Sequence, residues 1–280
     1  MSRQKVRSDR SYLHVSVLQA YAARHMSAPV HPIGSFCFAE LHTPEPELSA
    51  RFYCSLLSWN LRKISDDYWM FELNGSDVVG MRRSYNHRWV GYVHVAEVDR
   101  VASRGLELGA TVVAAPTDTP GLARTSLLAD PEGAVVGLWS PRGCEGTAVE
   151  SGTGSLWWVE LATANMAAAR SFYASLFEWD LVHTMKFENG PNGYTLFKVG
   201  DRSTGGAFQF ERDWGLTPMW QVYFEVSDYN AAVAHACRLG GEEGFSRNVP
   251  QVARIGIVVD PGDASFLISD PIKGSREESV

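Results

Sequence analysis

The sequence predicts an α+β protein of two tandem domains, each built from two βαβββ units. Three observations predict this: a long internal repeat, a second repeat later in each half, and a polar, glycine-rich segment between the halves. We expect an N-terminal extension at residues 1–32, a first domain at 33–141, a linker at 142–153, a second domain at 154–272 and a C-terminal tail at 273–280.

The first repeat aligns residues 34–61 with residues 154–181 without a gap, at an offset of 120. The number of identical residues in this ungapped alignment is far above chance and indicates an internal duplication. The first-copy residues that meet an identical residue are Gly34, Ser35, Glu40, Leu41, Thr43, Phe52, Tyr53, Ser55, Leu56, Trp59 and Leu61.

Each copy has the pattern of a strand, a helix and a hairpin. The apolar runs SFCFAEL and SLWWVEL are typical of buried strands. Apolar residues then recur at three- and four-residue spacing, which predicts a helix. The segment YWMFELNGSDVVGM follows in the first copy, and its Asn-Gly pair predicts a tight hairpin turn; YTLFKVGDRSTGGAFQF takes the same place in the second.

The second repeat begins at Trp89 and at Trp220, an offset of 131. Both copies read as a strand, a helix, a Gly stop and a last hairpin that contains Asp-Pro. With the first repeat, this gives four βαβββ units in two pairs.

Composition excludes several classes of function. The formal net charge is -7 and no dense Lys/Arg cluster is present, so we expect no nucleic-acid partner. No apolar run is long enough to span a bilayer, so we expect no membrane insertion. The four cysteines are scattered, which favours free thiols in a reducing cytoplasm. These observations leave a homodimer open.

The repeated motifs resemble the vicinal oxygen chelate superfamily, which includes glyoxalases, bleomycin-resistance proteins and extradiol dioxygenases. The resemblance covers residues 33 to about 272 and is strongest to the two-domain, bleomycin-resistance-like branch. It implies that each domain forms a half-open mixed β-barrel around a cavity. It does not fix a function, because this fold supports metal enzymes, metal-free enzymes and binding proteins.

The resemblance also indicates where a metal ion would bind. The family's ligand positions correspond here to Phe38, Val90 and Gly137 in the first domain, and to Trp158, Gln221 and Leu267 in the second. Only Gln221 has a side-chain donor, and one amide cannot hold an ion. We therefore expect no cofactor, with a divalent metal at a displaced site as the alternative.

One glutamate–tyrosine pair should face each of the two cavities, because side chains on a strand alternate. Glu40 and Tyr92 in the first domain, and Glu160 and Tyr223 in the second, lie two residues beyond the lost ligand positions. They are our candidate catalytic residues, acting by acid–base chemistry. The alternative is a structural hydrogen bond that both domains inherited.

Histidines four residues along distinguish the first domain from the second. Glu40, His42 and His94 form a candidate for a displaced metal site or for a general-base cluster. The alternative is that His42 lies in a turn and His94 near a strand end, both in contact with solvent.

Aromatic side chains on the strands predict an apolar slot for a flat ligand. The candidate substrate-binding residues are Phe38, Trp139, Trp158, Trp220, Gln221 and Phe266. A filled core is the alternative.

The sequence thus favours a small-molecule-binding protein with an aromatic-lined, metal-independent cavity for a hydrophobic or aromatic metabolite. The alternative is a lyase, isomerase, cyclase or dioxygenase-like enzyme.

Overall fold

The structure is a computed structural model that describes residues 31–183, 193–249 and 252–272. Nearly all of the expected N-terminal extension and the whole C-terminal tail lie outside the described residues. No helix in the described part of the chain is long and apolar enough to cross a membrane.

The first domain contains eight strands and two helices in the order that the repeats predict. They are β1 (Phe36–Thr43), α1 (Pro46–Leu57), β2 (Asn60–Lys63), β3 (Tyr68–Leu73), β4 (Ser76–Arg83), β5 (Arg88–His94), α2 (Val98–Glu107), β6 (Thr111–Thr119), β7 (Ala123–Ala129) and β8 (Val135–Pro141). The Asn-Gly turn is present, with φ of 53° at Asn74 and 81° at Gly75, as a tight hairpin requires.

The second domain repeats this order, with one short 3₁₀ helix added at Arg212–Trp214. Its elements are β9 (Leu156–Thr163), α3 (Met166–Phe177), β10 (Asp180–His183), β11 (Thr195–Val199), β12 (Arg202–Gln209), β13 (Met219–Glu225), α4 (Tyr229–Arg238), β14 (Glu242–Val249), β15 (Ala253–Val259) and β16 (Ser265–Pro271). Residues 142–153, between the domains, form neither helix nor strand.

Each domain is one open, mixed eight-stranded sheet rather than a closed barrel. The strand order is β2-β3-β4-β1-β5-β8-β7-β6 in the first domain and β10-β11-β12-β9-β13-β16-β15-β14 in the second. The first sheet curls strongly, as shown by a hydrogen bond of 3.2 Å that Arg82 on β4 donates to Thr119 on β6, although four strands lie between these two strands in the sheet. We call the enclosed side of each curled sheet its inner face. The fold class is thus an α+β tandem repeat of half-open barrels, as predicted.

The other face of each sheet packs, together with the helices, in a core that both domains share. Phe52 and Tyr53 from the first domain and Phe172 and Tyr173 from the second belong to this shared core. Strand β5 packs directly against β13 across it. Strands β1 and β9 are therefore buried at every position, which explains their continuous apolar sequence.

The residues kept in both copies of the first repeat make reciprocal contacts between the domains. Trp59 Nε1 donates to the Gly154 carbonyl at 2.9 Å, and Trp179 Nε1 donates to the Gly34 carbonyl at 2.6 Å. Both glycines have a left-handed backbone, with φ of 90° at Gly34 and 89° at Gly154, which favours glycine over other residues. The duplicated tryptophans thus fasten each domain to the first strand of the other.

Candidate functional site

The inner face of the first domain carries a row of polar side chains across three neighbouring strands. Arg82 on β4, His42 on β1 and Arg88 on β5 are register partners. Gly80, Glu40 and Val90 form the next row inward. Because partners in adjacent strands point to the same side of a sheet, these two rows meet in one cluster.

Glu40 is the centre of this cluster and is fully buried. Its Oε1 accepts hydrogen bonds from Tyr92 Oη at 2.9 Å and Arg82 Nε at 3.1 Å, and it lies 2.8 Å from His42 Nε2. Burial alone would raise the pKa of Glu40, but Arg82 first and His42 second outweigh burial and lower it to about 2. Glu40 is therefore a carboxylate at neutral pH.

Three buried polar atoms of this inner face have no hydrogen-bond partner among the described residues. They are Glu40 Oε2, the hydroxyl of Tyr68 and Arg88 Nε. The Tyr68 hydroxyl lies over Gly80, where a Cβ atom would come within 2.2 Å of it. It also helps to lower the pKa of Glu40, although the two groups do not complete a hydrogen bond. The inner face thus contains a buried carboxylate oxygen and a buried hydroxyl whose hydrogen-bonding capacity is unused by the described residues.

The inner face of the second domain keeps the Glu–Tyr pair in a different setting. Glu160 Oε1 accepts from Tyr223 Oη at 2.6 Å. Burial raises the pKa of Glu160, and Arg247 and Tyr223 offset this only in part. Ala162, Phe208 and Met219 form the row that corresponds to His42, Arg82 and Arg88. The two duplicated glutamates thus have pKa values shifted in opposite directions, because their neighbours differ.

The predicted binding aromatics separate into two groups. Phe38 and Trp139 pack on the inner face of the first domain, and Trp158 packs on that of the second. All three are almost completely buried among other side chains. They fill the deep part of each half-barrel, so any site on the inner face lies towards the polar row. Gln221 also faces inward, as the register partner of Glu160.

Trp220 and Phe266 are elsewhere, and the expectation that they line the slot is wrong in its geometry. Both belong to the shared core between the sheets. Trp220 Nε1 donates to Tyr173 Oη at 2.8 Å. The reason is the alternation along β13 and β16, where Tyr223 and Leu267 point inward and their neighbours point outward.

The expected trio of Glu40, His42 and His94 is not assembled. His94 Nδ1 instead lies 2.5 Å from the carbonyl of His31, at the far end of β5 from Arg88. The expectation that His42 lies in a solvated turn is also wrong, since it is within β1 and only 5% exposed. No three His, Cys, Asp or Glu side chains of the described residues could hold a metal ion together.

The positions where the superfamily binds a metal do not supply a ligand set. Phe38 and Val90 belong to the apolar cluster of the inner face. The Tyr92 ring lies against Gly137, where a Cβ atom would come within 2.3 Å of it. The side chains at these positions therefore do not fit a divalent ion.

Sequence reasoning missed Tyr68, Tyr194, Arg82 and Arg88. The two tyrosines could have been found, because each opens the hairpin segment of its repeat, YWMF in one and YTLF in the other. The arginines gave no such signal, because their counterparts in the second domain are apolar. Only the strand register places them beside His42.

Comparisons with known proteins agree with this geometry. Residues 36–138 match the model of the glyoxalase-like domain family. The chain is 31% identical over 252 residues to "Putative glyoxylase CFP32" of Mycobacterium tuberculosis, covering 84% of this chain and 94% of that one. It is 29% identical over 266 residues to the anthracycline biosynthesis protein DnrV of Streptomyces peucetius, covering 86% and 94%.

Solved structures share the fold at low sequence identity. The Mn(II)-bound glyoxalase from Novosphingobium aromaticivorans superposes with a TM-score of 0.61 at 13% identity, covering 85% of this chain and 82% of that one. Homoprotocatechuate 2,3-dioxygenase from Brevibacterium fuscum gives 0.60 at 14% identity, covering 88% and 83%. With two curled βαβββ sheets and these relatives, the chain belongs to the glyoxalase-like proteins of the vicinal oxygen chelate superfamily.

Proposed function

We propose that this protein binds a small hydrophobic or aromatic molecule on the inner face of its first domain, without a metal ion held by the protein. The observation that carries the proposal is the pair of buried polar atoms without partners, Glu40 Oε2 and Tyr68 Oη. Leaving a buried polar group unsatisfied costs about 1–3 kcal/mol. A ligand hydroxyl between the two atoms would offset that cost.

The second domain supports the same assignment by contrast. There the counterpart of Tyr68 is Tyr194, whose hydroxyl accepts a hydrogen bond of 2.9 Å from Trp158 Nε1. Phe38, which corresponds to Trp158, has no such donor and leaves the Tyr68 hydroxyl available. The larger side chain completes the second cluster internally, so the first domain is the better candidate for a ligand.

The metal-free part of the proposal is supported by the side chains at the ligand positions of the superfamily. Phe38, Val90 and Gly137 offer no donor atom where the superfamily's metal enzymes have ligands. The charge that a metal would provide is replaced in this domain by Arg82, which reaches Glu40 while its side chain is 33% exposed.

An enzyme that uses acid–base chemistry is the second candidate function. It is favoured by Glu160, a buried carboxyl group with a raised pKa that accepts a hydrogen bond from Tyr223. A carboxyl group whose pKa is raised by burial keeps its proton to a higher pH than an exposed one, as a general acid requires. In that case the working residues would be in the second domain.

Binding of hydroxylated aromatic compounds, measured by calorimetry alongside native mass spectrometry and metal analysis, separates these candidates. We expect Glu40→Gln and Tyr68→Phe each to weaken binding by about tenfold or more, the effect of losing one buried hydrogen bond. Glu160→Gln is the matched control and should bind normally. Stoichiometric iron, zinc or manganese would refute the metal-free proposal, and turnover abolished by Glu160→Gln alone would favour the enzyme.

A further inference from the structure

The charged row at the mouth of the first domain has no counterpart in the second. In the first domain the row is Arg82, His42 and Arg88, on β4, β1 and β5. At the same register the second domain has Phe208, Ala162 and Met219. Two sheets with the same fold and the same inner glutamate therefore differ at this row, which is cationic in the first domain and apolar in the second, where Arg247 on β14 is the cation that acts on Glu160.

Arg88 is the residue of this row whose guanidinium group lacks an ion-pair partner among the described residues. Its side chain is half-buried, and its Nε is buried with no hydrogen-bond partner in the part of the chain that the structure describes. Within the same residues it forms no ion pair, whereas Arg82 pairs with Glu40 at 3.1 Å. Burial lowers the pKa of Arg88, yet a guanidinium remains charged in proteins. An unpaired, partly desolvated cation is costly unless an anion joins it.

The charges of Glu40, Arg82 and Arg88 do not balance. Glu40 contributes one negative charge and pairs with Arg82 at 3.1 Å, so the positive charge of Arg88 is left over. Asp118, the acidic side chain of β6, is paired with Arg124 at 3.3 Å. One added anion would neutralise Arg88.

We propose that the ligand of the first domain is an organic acid whose carboxylate pairs with Arg88. This rests on the proposed function and names its ligand class: a small hydrophobic or aromatic carboxylate. The planar guanidinium matches a carboxylate with two parallel hydrogen bonds. The apolar part of the ligand would lie against Tyr68 and Ile64, which pack on the inner face beside the row.

Matched pairs of an aromatic carboxylic acid and its primary amide test the charge separately from the shape. We expect the wild-type protein to bind the acid about tenfold more tightly than the amide, as measured by calorimetry at low salt. Arg88→Met copies the residue that the second domain uses at this position. It should remove the preference for the acid while leaving the affinity for the amide within about twofold.

Arg83→Met is the control for net charge. Arg83 is the next residue on β4, but it pairs with Asp67 and Glu47 outside the row, so its loss should leave the preference intact. Equal binding of acid and amide, or binding of inorganic phosphate as tight as that of the acid, would overturn this inference and leave the proposed function standing. Failure of the wild-type protein to bind either compound would overturn both.

Discussion

Glu40 and Glu160 occupy the same position in two copies of one motif, yet their environments shift the pKa values of the two carboxyl groups in opposite directions. Arg82 and His42 hold the pKa of Glu40 at about 2 against the effect of burial. Glu160 has Ala162 and Phe208 in those places, so burial prevails and its pKa is raised. The direction of the pKa shift is therefore set by the side chains on the neighbouring strands, and not by the identity of the residue alone.

This difference predicts opposite pH dependences for Glu40→Gln and Glu160→Gln. A lowered pKa stabilises the fold above the ordinary pKa of 4.5 and loses that effect as pH falls towards 2. Glu40→Gln should therefore cost about 3 kcal/mol at neutral pH and less below pH 4.5. A raised pKa acts in the reverse sense, so the cost of Glu160→Gln should shrink as pH rises from 4.5.

Urea unfolding of the two variants and the wild type, at a series of pH values from about 2.5 to 8, measures these costs. The two variants serve as controls for each other, since each replaces a buried carboxyl group at the same position of the fold. Parallel pH profiles would contradict the assignment.

The hairpins before β8 and β16 show how an element can serve both its own domain and the other. Asp130 Oδ1 accepts from the backbone N–H of Ala134, and Asp260 Oδ1 does the same for Ala264. The second oxygen of each aspartate accepts from a tyrosine of the opposite domain, Tyr173 and Tyr53 respectively, at 2.9 Å. The Asp-Pro motif thus shapes a turn and joins the domains.

The two junctions are not equal, which predicts unequal effects of Tyr173→Phe and Tyr53→Phe. His87 Nε2 lies 3.1 Å from Asp260 Oδ2 and remains as a partner when the Tyr53 hydroxyl is removed. Asp130 Oδ2 has no comparable histidine, because Pro218 stands at the position that corresponds to His87. We expect Tyr173→Phe to cost about 1 kcal/mol more than Tyr53→Phe in unfolding free energy. Equal costs would show that His87 does not compensate.

The order of helices and strands was predictable from the sequence. Which strands pair with each other, and which face of each sheet packs against the other domain, was not. Repeat spacing, the Asn-Gly turn and the apolar periodicity determine where strands and helices occur. The inward pairs Glu40–Tyr92 and Glu160–Tyr223 also followed from strand alternation. Trp220 and Phe266 were misplaced because alternation shows that two residues face opposite sides, but not which side meets the other domain. Arg82 and Arg88 come from strands that are distant in sequence, so only the register unites them with Glu40.

The whole molecule is held together by one hydrophobic core, to which both domains contribute side chains. Phe36 from the first domain packs on Trp179 and Trp220 of the second, with ring centroids 5.7 and 4.9 Å apart. Trp59 and Trp89 pack on Phe224 in the reverse direction, at 5.1 and 4.9 Å. Separating the domains would expose all of these rings to water, at about 25 cal/mol for each Å² of apolar surface.

We therefore expect calorimetry to show one unfolding transition for the intact protein. A first half alone, ending in the linker at residue 150, should bind hydrophobic dyes or fail to fold, because its share of the core is uncovered. Two resolved transitions, or a folded monomeric first half that binds no dye, would contradict the shared core.

The reciprocal tryptophan contacts have a consequence for how the chain can change. Trp59 and Trp179, with the glycines that receive them, are identical in both repeats and lie between the domains. The residues that differ between the repeats, such as His42 and Ala162, line the inner faces instead. The second half is thus an obligate scaffold for the first, whatever it binds. Residues on the inner face of the second domain can therefore be substituted while the tryptophan and glycine contacts are kept. This face is thus suited to engineering a second binding specificity.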